Sequence, residues 1–107
     1  MNPIAKTPKP PYYAVVFTSL RTDTEDGYEQ MAKKMAAIAS EQPGFLGIES
    51  VREENGLGIT VSYWKDKDSI RGWKNHAAHQ QAQQFGKEKW YQHYRIRVAK
   101  VEKDYGL

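Results

Sequence analysis

The segment Tyr12 to Leu20, YYAVVFTSL, constrains the fold more than any other feature of the chain. It is rich in β-branched and aromatic residues, and Pro11 suits its start, so it reads as a strand. In a strand, Tyr13, Val15 and Phe17 share one face, while Tyr12, Ala14, Val16 and Thr18 share the other. Both faces carry apolar groups, and both therefore need cover. The chain has 107 residues, which makes one domain the natural reading. Its mean hydropathy of −0.81 leaves few apolar side chains for a second hydrophobic layer of its own. Helices on one sheet face and a second copy of the chain on the other would satisfy both limits.

The remaining segments supply such helices and further strands. Residues Glu25 to Glu41 predict a helix, with Asp23 or Thr24 as its cap and the early acids Glu25 and Asp26 at its positive end. Tyr28, Met31, Ala32, Met35 and Ile38 follow the spacing of an apolar stripe, with Lys33 and Lys34 on the wet side. Gln42-Pro43-Gly44 stops it. Phe45–Arg52 and Leu57–Trp64 read as two strands of a hairpin around Glu53-Glu54-Asn55-Gly56, and Gly56 and Gly58 read as turn residues. A second helix starts near Asp66 or Asp68 and runs past His79, with Ile70, Trp73 and Ala77 on one stripe. Gly86 ends or breaks it before a short helical turn at Lys87 to Trp90. A last strand covers Gln92 to Val101. The order β-α-β-β-α-β predicts an α+β, ferredoxin-like fold: an antiparallel sheet with both helices on one face. Residues 1–11, with four prolines, form an extended lead-in, and residues 12–107 form the domain. The exposed second face predicts a two-fold homodimer.

Composition narrows the function classes. There is no Cys, hence no disulfide framework, thiol nucleophile or thiolate-bound metal, which fits a cytoplasmic setting. The N-terminus lacks the apolar stretch of a signal peptide, and no apolar run approaches a membrane span, so no membrane partner is expected. The net charge of +3 is spread along the chain with acids interleaved, as in Lys65-Asp66-Lys67-Asp68. A nucleic-acid-binding chain concentrates its charge on one face, so none is expected as a partner.

The block from Tyr63 to Arg97 holds all three Trp and all three His. Aromatics and imidazoles gathered on a helix beside a sheet can line a cavity for a flat organic molecule, and they can equally fill a small core. On the second helix, His76 lies about 60° and His79 about 120° from Trp73 around the axis. His titrates near neutral pH, so either can serve as a general base or hold a substrate oxygen. Trp73, Trp64 and Phe17 are the candidate walls for a small, planar, apolar ligand. His76 and His79 could share a metal on one helix face, but a zinc site needs a third protein ligand, and only His93 and scattered acids could supply it; no metal is expected. Arg97 could hold an acidic or phenolate substrate. The alternative is that Arg95 and Arg97 pair with Glu49 or Glu53 across strands.

Several local patterns carry a resemblance. The early helix followed by Pro43-Gly44-Phe45, the strand end Tyr63-Trp64-Lys65-Asp66 and Trp73 on the second helix resemble the antibiotic biosynthesis monooxygenase (ABM) domain family, the dimeric α+β barrel group. The resemblance spans Tyr12 to Tyr105. His79 with Ala82-Gln83, Gly86, Trp90-Tyr91 and Arg97-Val98-Ala99 resemble an uncharacterised bacterial branch of it. Known members of the family are cofactorless oxygenases of polycyclic phenols and quinones, haem-degrading oxygenases and several other enzymes. The haem-degrading members share an Asn on the first strand, a Trp on the second helix and a His about three turns beyond it. Trp73 matches the Trp, Gln83 stands at the His position, and the first strand has no Asn.

The resemblance therefore implies a cofactor-independent monooxygenase acting on an aromatic or quinone-like molecule, with no bound cofactor. His79 and His76 are the expected catalytic residues, with Trp73, Phe17, Trp64, Gln83 and Arg97 around the substrate. The competing reading is a non-catalytic small-molecule-binding or stress-response protein of the same fold.

Overall fold

The computed structural model describes residues 3–25, 27–83 and 90–107, with the side chains of 78–83 set aside. Its elements are β1 (Tyr12–Arg21), α1 (Tyr28–Ser40), β2 (Phe45–Arg52), β3 (Leu57–Trp64), α2 (Lys67–Gln83) and β4 (Tyr91–Val101). The four strands form one sheet in the order β2-β3-β1-β4, and every neighbouring pair is antiparallel. This is the ferredoxin-like arrangement that the element order predicted.

Strand parity sorts the sheet into two faces, because directly paired residues project to the same side. One face is a grid of four rungs across β2, β3, β1 and β4. The first is Phe45, Trp64, Tyr13 and Lys100; the second is Ile48, Ser62, Val15 and Val98. The third is Ser50, Thr60, Phe17 and Ile96; the fourth is Arg52, Gly58, Ser19 and Tyr94. Both helices lie over this face. Trp73 of α2 stacks on Trp64 of the first rung, and Tyr28 of α1 meets Arg52 of the fourth.

The helix α1 begins later than expected. Gly27 is its N-cap, in the left-handed region at φ 84°, and no side chain caps it. Asp23 and Thr24 lie instead in a loop, held where the Thr24 carbonyl accepts from Arg21 and the Thr24 N–H donates to the Thr22 hydroxyl. Met31 and Ala39 are buried on its inner side, and Lys33 and Lys34 are exposed. Ala32, expected on the apolar stripe, is exposed as well. The start of α2 has the local chemistry its sequence implied. Asp66 precedes the first helical residue, and its carboxylate accepts from the Ser69 N–H at 2.8 Å and the Ser69 hydroxyl at 2.7 Å. The Pro43-Gly44-Phe45 turn docks here. Gly44 has φ 82°, and a Cβ on it would lie 2.0 Å from Ser69 Oγ, so this position takes only glycine without strain.

The opposite face is covered at one end by the chain's own lead-in. The Ala5 N–H donates to Glu49, whose other carboxylate oxygen accepts from the Tyr63 hydroxyl at 2.6 Å. Thr7 and Tyr12 both donate to Asp104 in the C-terminal segment. Burial first, and then the bond to Glu49, push the Tyr63 phenol up to about 12. At the hairpin end the same face is bare: Val51 is 71% exposed, and Leu57 and Ile59 are also exposed.

Candidate functional site

Two aromatic clusters mark the ends of the helix-covered face. At the first rung, Trp64 is fully buried and donates its indole N–H to Ser62 Oγ at 2.8 Å. Phe45 meets it edge-on at 5.5 Å between ring centroids. Trp73 lies nearly parallel to Trp64 at 6.1 Å, and the His76 ring lies nearly parallel to Trp73, again at 6.1 Å. His76 is half-buried, so the imidazole forms the outer end of a stack whose inner end is locked in the core.

At the other end, Phe17 contacts Tyr91 and Tyr94, and Tyr28 contacts Tyr91 and Trp90. The Arg21 guanidinium sits 3.5 Å above the Tyr28 ring centroid. Arg52 donates to Ser19 Oγ at 2.7 Å, to the Tyr28 hydroxyl at 3.3 Å, and to the carbonyls of Ser19 and Gly56. The Tyr91 hydroxyl also donates to Tyr28. Burial raises the Tyr91 phenol well above its usual range, and the nearby charges of Arg52 and Arg21 oppose that shift only in part.

Between the clusters, some described residues of this face are exposed. Ile96 and Val98 are 50% and 54% exposed although they share the helix-side face. Ser50 is exposed, and its hydroxyl bonds that of Thr60 at 2.7 Å. This partly open strip thus carries exposed apolar groups on β4 and an exposed hydroxyl on β2, with Phe17 and Thr60 half-buried between them. It can seat a flat, mostly apolar body with oxygens on one edge.

The structure brings Trp64, Trp73 and His76 into one stack and places Phe17 on the same face, in the second cluster. Arg97 is elsewhere. It pairs with Val16 on the opposite face and is exposed there. The expected pairing of Arg95 and Arg97 with Glu49 or Glu53 does not form, because β2 and β4 are the two edges of the sheet and two strands separate them. Glu49 is engaged by Tyr63 and Ala5 instead. The side chains of His79 and Gln83, and all of Gly86, fall outside the described residues. Among the described residues, no three His, Asp or Glu side chains gather as a metal site.

Sequence reasoning did not single out Ser50, Thr60, Arg52 or Tyr28 as neighbours of this strip. Ser50 and Arg52 alternate onto one face of β2, but nothing local in the sequence says that the helices cover that face. Gly58 is also reassigned. It lies within β3 and is buried, with the Arg52 guanidinium directly over it: a Cβ there would lie 2.5 Å from Arg52 Cζ.

Comparison with known proteins agrees with this architecture. The family model for antibiotic biosynthesis monooxygenase matches residues 11–84. The chain belongs to this family. It is 50% identical over 103 residues to the uncharacterized protein YqjZ of Bacillus subtilis, covering 96% of this chain and 90% of that one. It is 29% identical over 94 residues to the jasmonate monooxygenase ABM of Pyricularia oryzae, covering 83% of this chain but 43% of that protein. Among solved structures, SnoaB of Streptomyces nogalater, a cofactor-independent oxygenase, aligns with a TM-score of 0.65 at 18% identity, covering 87% of this chain and 95% of that one. The protein PA3566 of Pseudomonas aeruginosa aligns with a TM-score of 0.67 at 13% identity, covering 91% and 98%. At these identities the structural likeness is one of fold. Among the described residues, no helix of this family member is long and apolar enough to cross a membrane.

Proposed function

We propose that the protein is a cofactor-independent monooxygenase of a planar, oxygen-bearing aromatic or quinone-like molecule. The observation that carries this reading is the Trp64-Trp73-His76 stack beside a partly open strip of sheet. A flat substrate can continue such a stack or lie over Phe17, with its oxygens toward the Ser50 and Thr60 hydroxyls. His76, at the accessible end of the stack, is the base that removes a substrate proton; His79 is the second candidate for that role. The resulting carbanion or phenolate supplies the electrons to oxygen. A ring methylene and O₂ give a ring carbonyl and water, so the atoms and electrons balance without a further reductant. The activities of the jasmonate monooxygenase and of SnoaB support this class of chemistry.

The working unit in this proposal is a homodimer. The bare apolar end of the opposite face, with Val51, Leu57 and Ile59, is the surface a second copy would cover. A cytoplasmic site of action is part of the same reading, since a chain without Cys makes no use of an oxidising compartment.

Oxygen uptake decides the matter. Purified protein without added flavin, haem or metal is mixed with a dihydroxyanthrone in air-saturated buffer. Consumption of one O₂ per carbonyl formed, above the spontaneous rate, is expected. Ligand binding with no oxygen uptake, across a panel of polycyclic phenols, would leave the binding-protein reading in its place.

A further inference from the structure

We propose that Arg52 and the Tyr28 hydroxyl form a recognition site for an anionic group, so that the ligand of the partly open strip is a carboxylate-bearing molecule. This rests on the strip being the ligand site, and it adds the ligand's charge.

Donor accounting carries the argument. Arg52 is half-buried on the helix-side face, at the rung next to Ser50. Both protons of Nη1 go to carbonyl oxygens, those of Ser19 and Gly56. Those of Nη2 go to Ser19 Oγ and the Tyr28 hydroxyl. All four acceptors are neutral, and among the described residues Nε–H remains over. The ion pairs formed among the described residues are Arg21 with Glu25 and Arg71 with Asp68, so Arg52 has no carboxylate partner among them. The Tyr28 oxygen accepts from both Arg52 and Tyr91, and its own proton is not given to either. A positive charge partly removed from water, held by neutral carbonyls and hydroxyls with donors in surplus, is completed by an anion and by little else. The site also reaches the strip. Adjacent rungs lie about 7 Å apart along a strand, so Arg52 stands one rung from the exposed Ser50-Thr60 pair. A carboxylate at Arg52 would leave an attached ring over Phe17 and Ile96.

Gly58 shows that the sequence makes room for this guanidinium. Any side chain there would push Arg52 aside, and no turn requires a glycine within β3.

The test is binding, not turnover, and uses a matched pair of probes: naphthoate and the neutral naphthamide, measured by isothermal titration on the full chain. Native protein is expected to prefer naphthoate by about tenfold or more, the ordinary worth of a hydrogen-bonded charge. Arg52→Gln should bring the two probes within about twofold of each other while naphthamide binding holds, since the neutral probe never had the charge contact. Gly58→Ala keeps the guanidinium but displaces it, so it should also weaken naphthoate selectively; this variant serves if Arg52→Gln folds poorly. Equal affinity of native protein for both probes, or failure of both to bind at millimolar concentration, overturns the proposal. So does a preference that survives Arg52→Gln, or one abolished by Arg97→Gln on the other face. An Arg52-dependent preference in a protein that consumes no oxygen would support the anion site and sink the oxygenase reading alone.

Discussion

His76 and Gly44 show two ways in which one residue can matter here. His76 stacks on Trp73 and lies partly open, so its loss should be felt in chemistry before stability. If it is the base, His76→Ala should lower turnover of an anthrone substrate by about 10²–10⁴, with the melting temperature little changed. An unchanged rate would move the role to another group, His79 first. Gly44 is the converse case. A left-handed φ and the close approach of Ser69 leave no space for a side chain. Gly44→Ala should cost about 1–3 kcal/mol in chemical denaturation, the usual range for a strained backbone position. An unshifted midpoint would mean that the turn can rearrange around a Cβ.

At the scale of the element, the start of α2 carries a pH dependence of predictable sign. The hydrogen bonds from Ser69 hold the Asp66 carboxyl below its usual range. A lowered folded-state value means that the unfolded chain binds this proton more readily than the folded one. The cap's contribution is therefore complete above the ordinary carboxylate range and is lost as pH falls through the lowered value. Asp66→Asn should reduce the melting temperature near neutral pH and flatten this part of the acid limb. Parallel melting-temperature profiles for the two proteins from neutral pH to about pH 3 would rule the mechanism out. The helix α1 has no such cap, since Gly27 offers no side chain, and its hold on the sheet comes from Met31, Ala39 and the contacts of Tyr28.

For the whole molecule, the question is what covers the second sheet face. The lead-in and C-terminal segment tie down one end through Glu49, Thr7, Tyr12 and Asp104, and the hairpin end stays bare. A second copy seated there should bury more than about 1,000 Å² in total. Sedimentation at micromolar concentration should give a dimer, and Val51→Glu should shift it toward monomer. A native monomer under those conditions would leave the bare apolar end without its proposed cover.

Much of this was legible before the structure. The bounds of β2 and β3 coincide with those read from alternation and the Asn55-Gly56 turn, and the α+β order followed from periodicity. The Trp64, Trp73 and His76 association was visible in outline, as an aromatic strand end followed by a helix. These are local properties: the pleat and the helical turn are written into spacings of two and of three to four residues. The strand order, the identity of the helix-covered face and the environment of Arg52 are long-range properties. Parity put Ser50 and Arg52 together, but only the docking of α1 and α2 turned that face inward and set Tyr28 against the guanidinium. The same long-range pairing put Ile96 and Val98 on the helix-covered face, so that Arg97, which alternates with them along β4, stands on the other side of the sheet. Spacing along the chain fixes which side chains share a face. Only tertiary packing decides what that face meets.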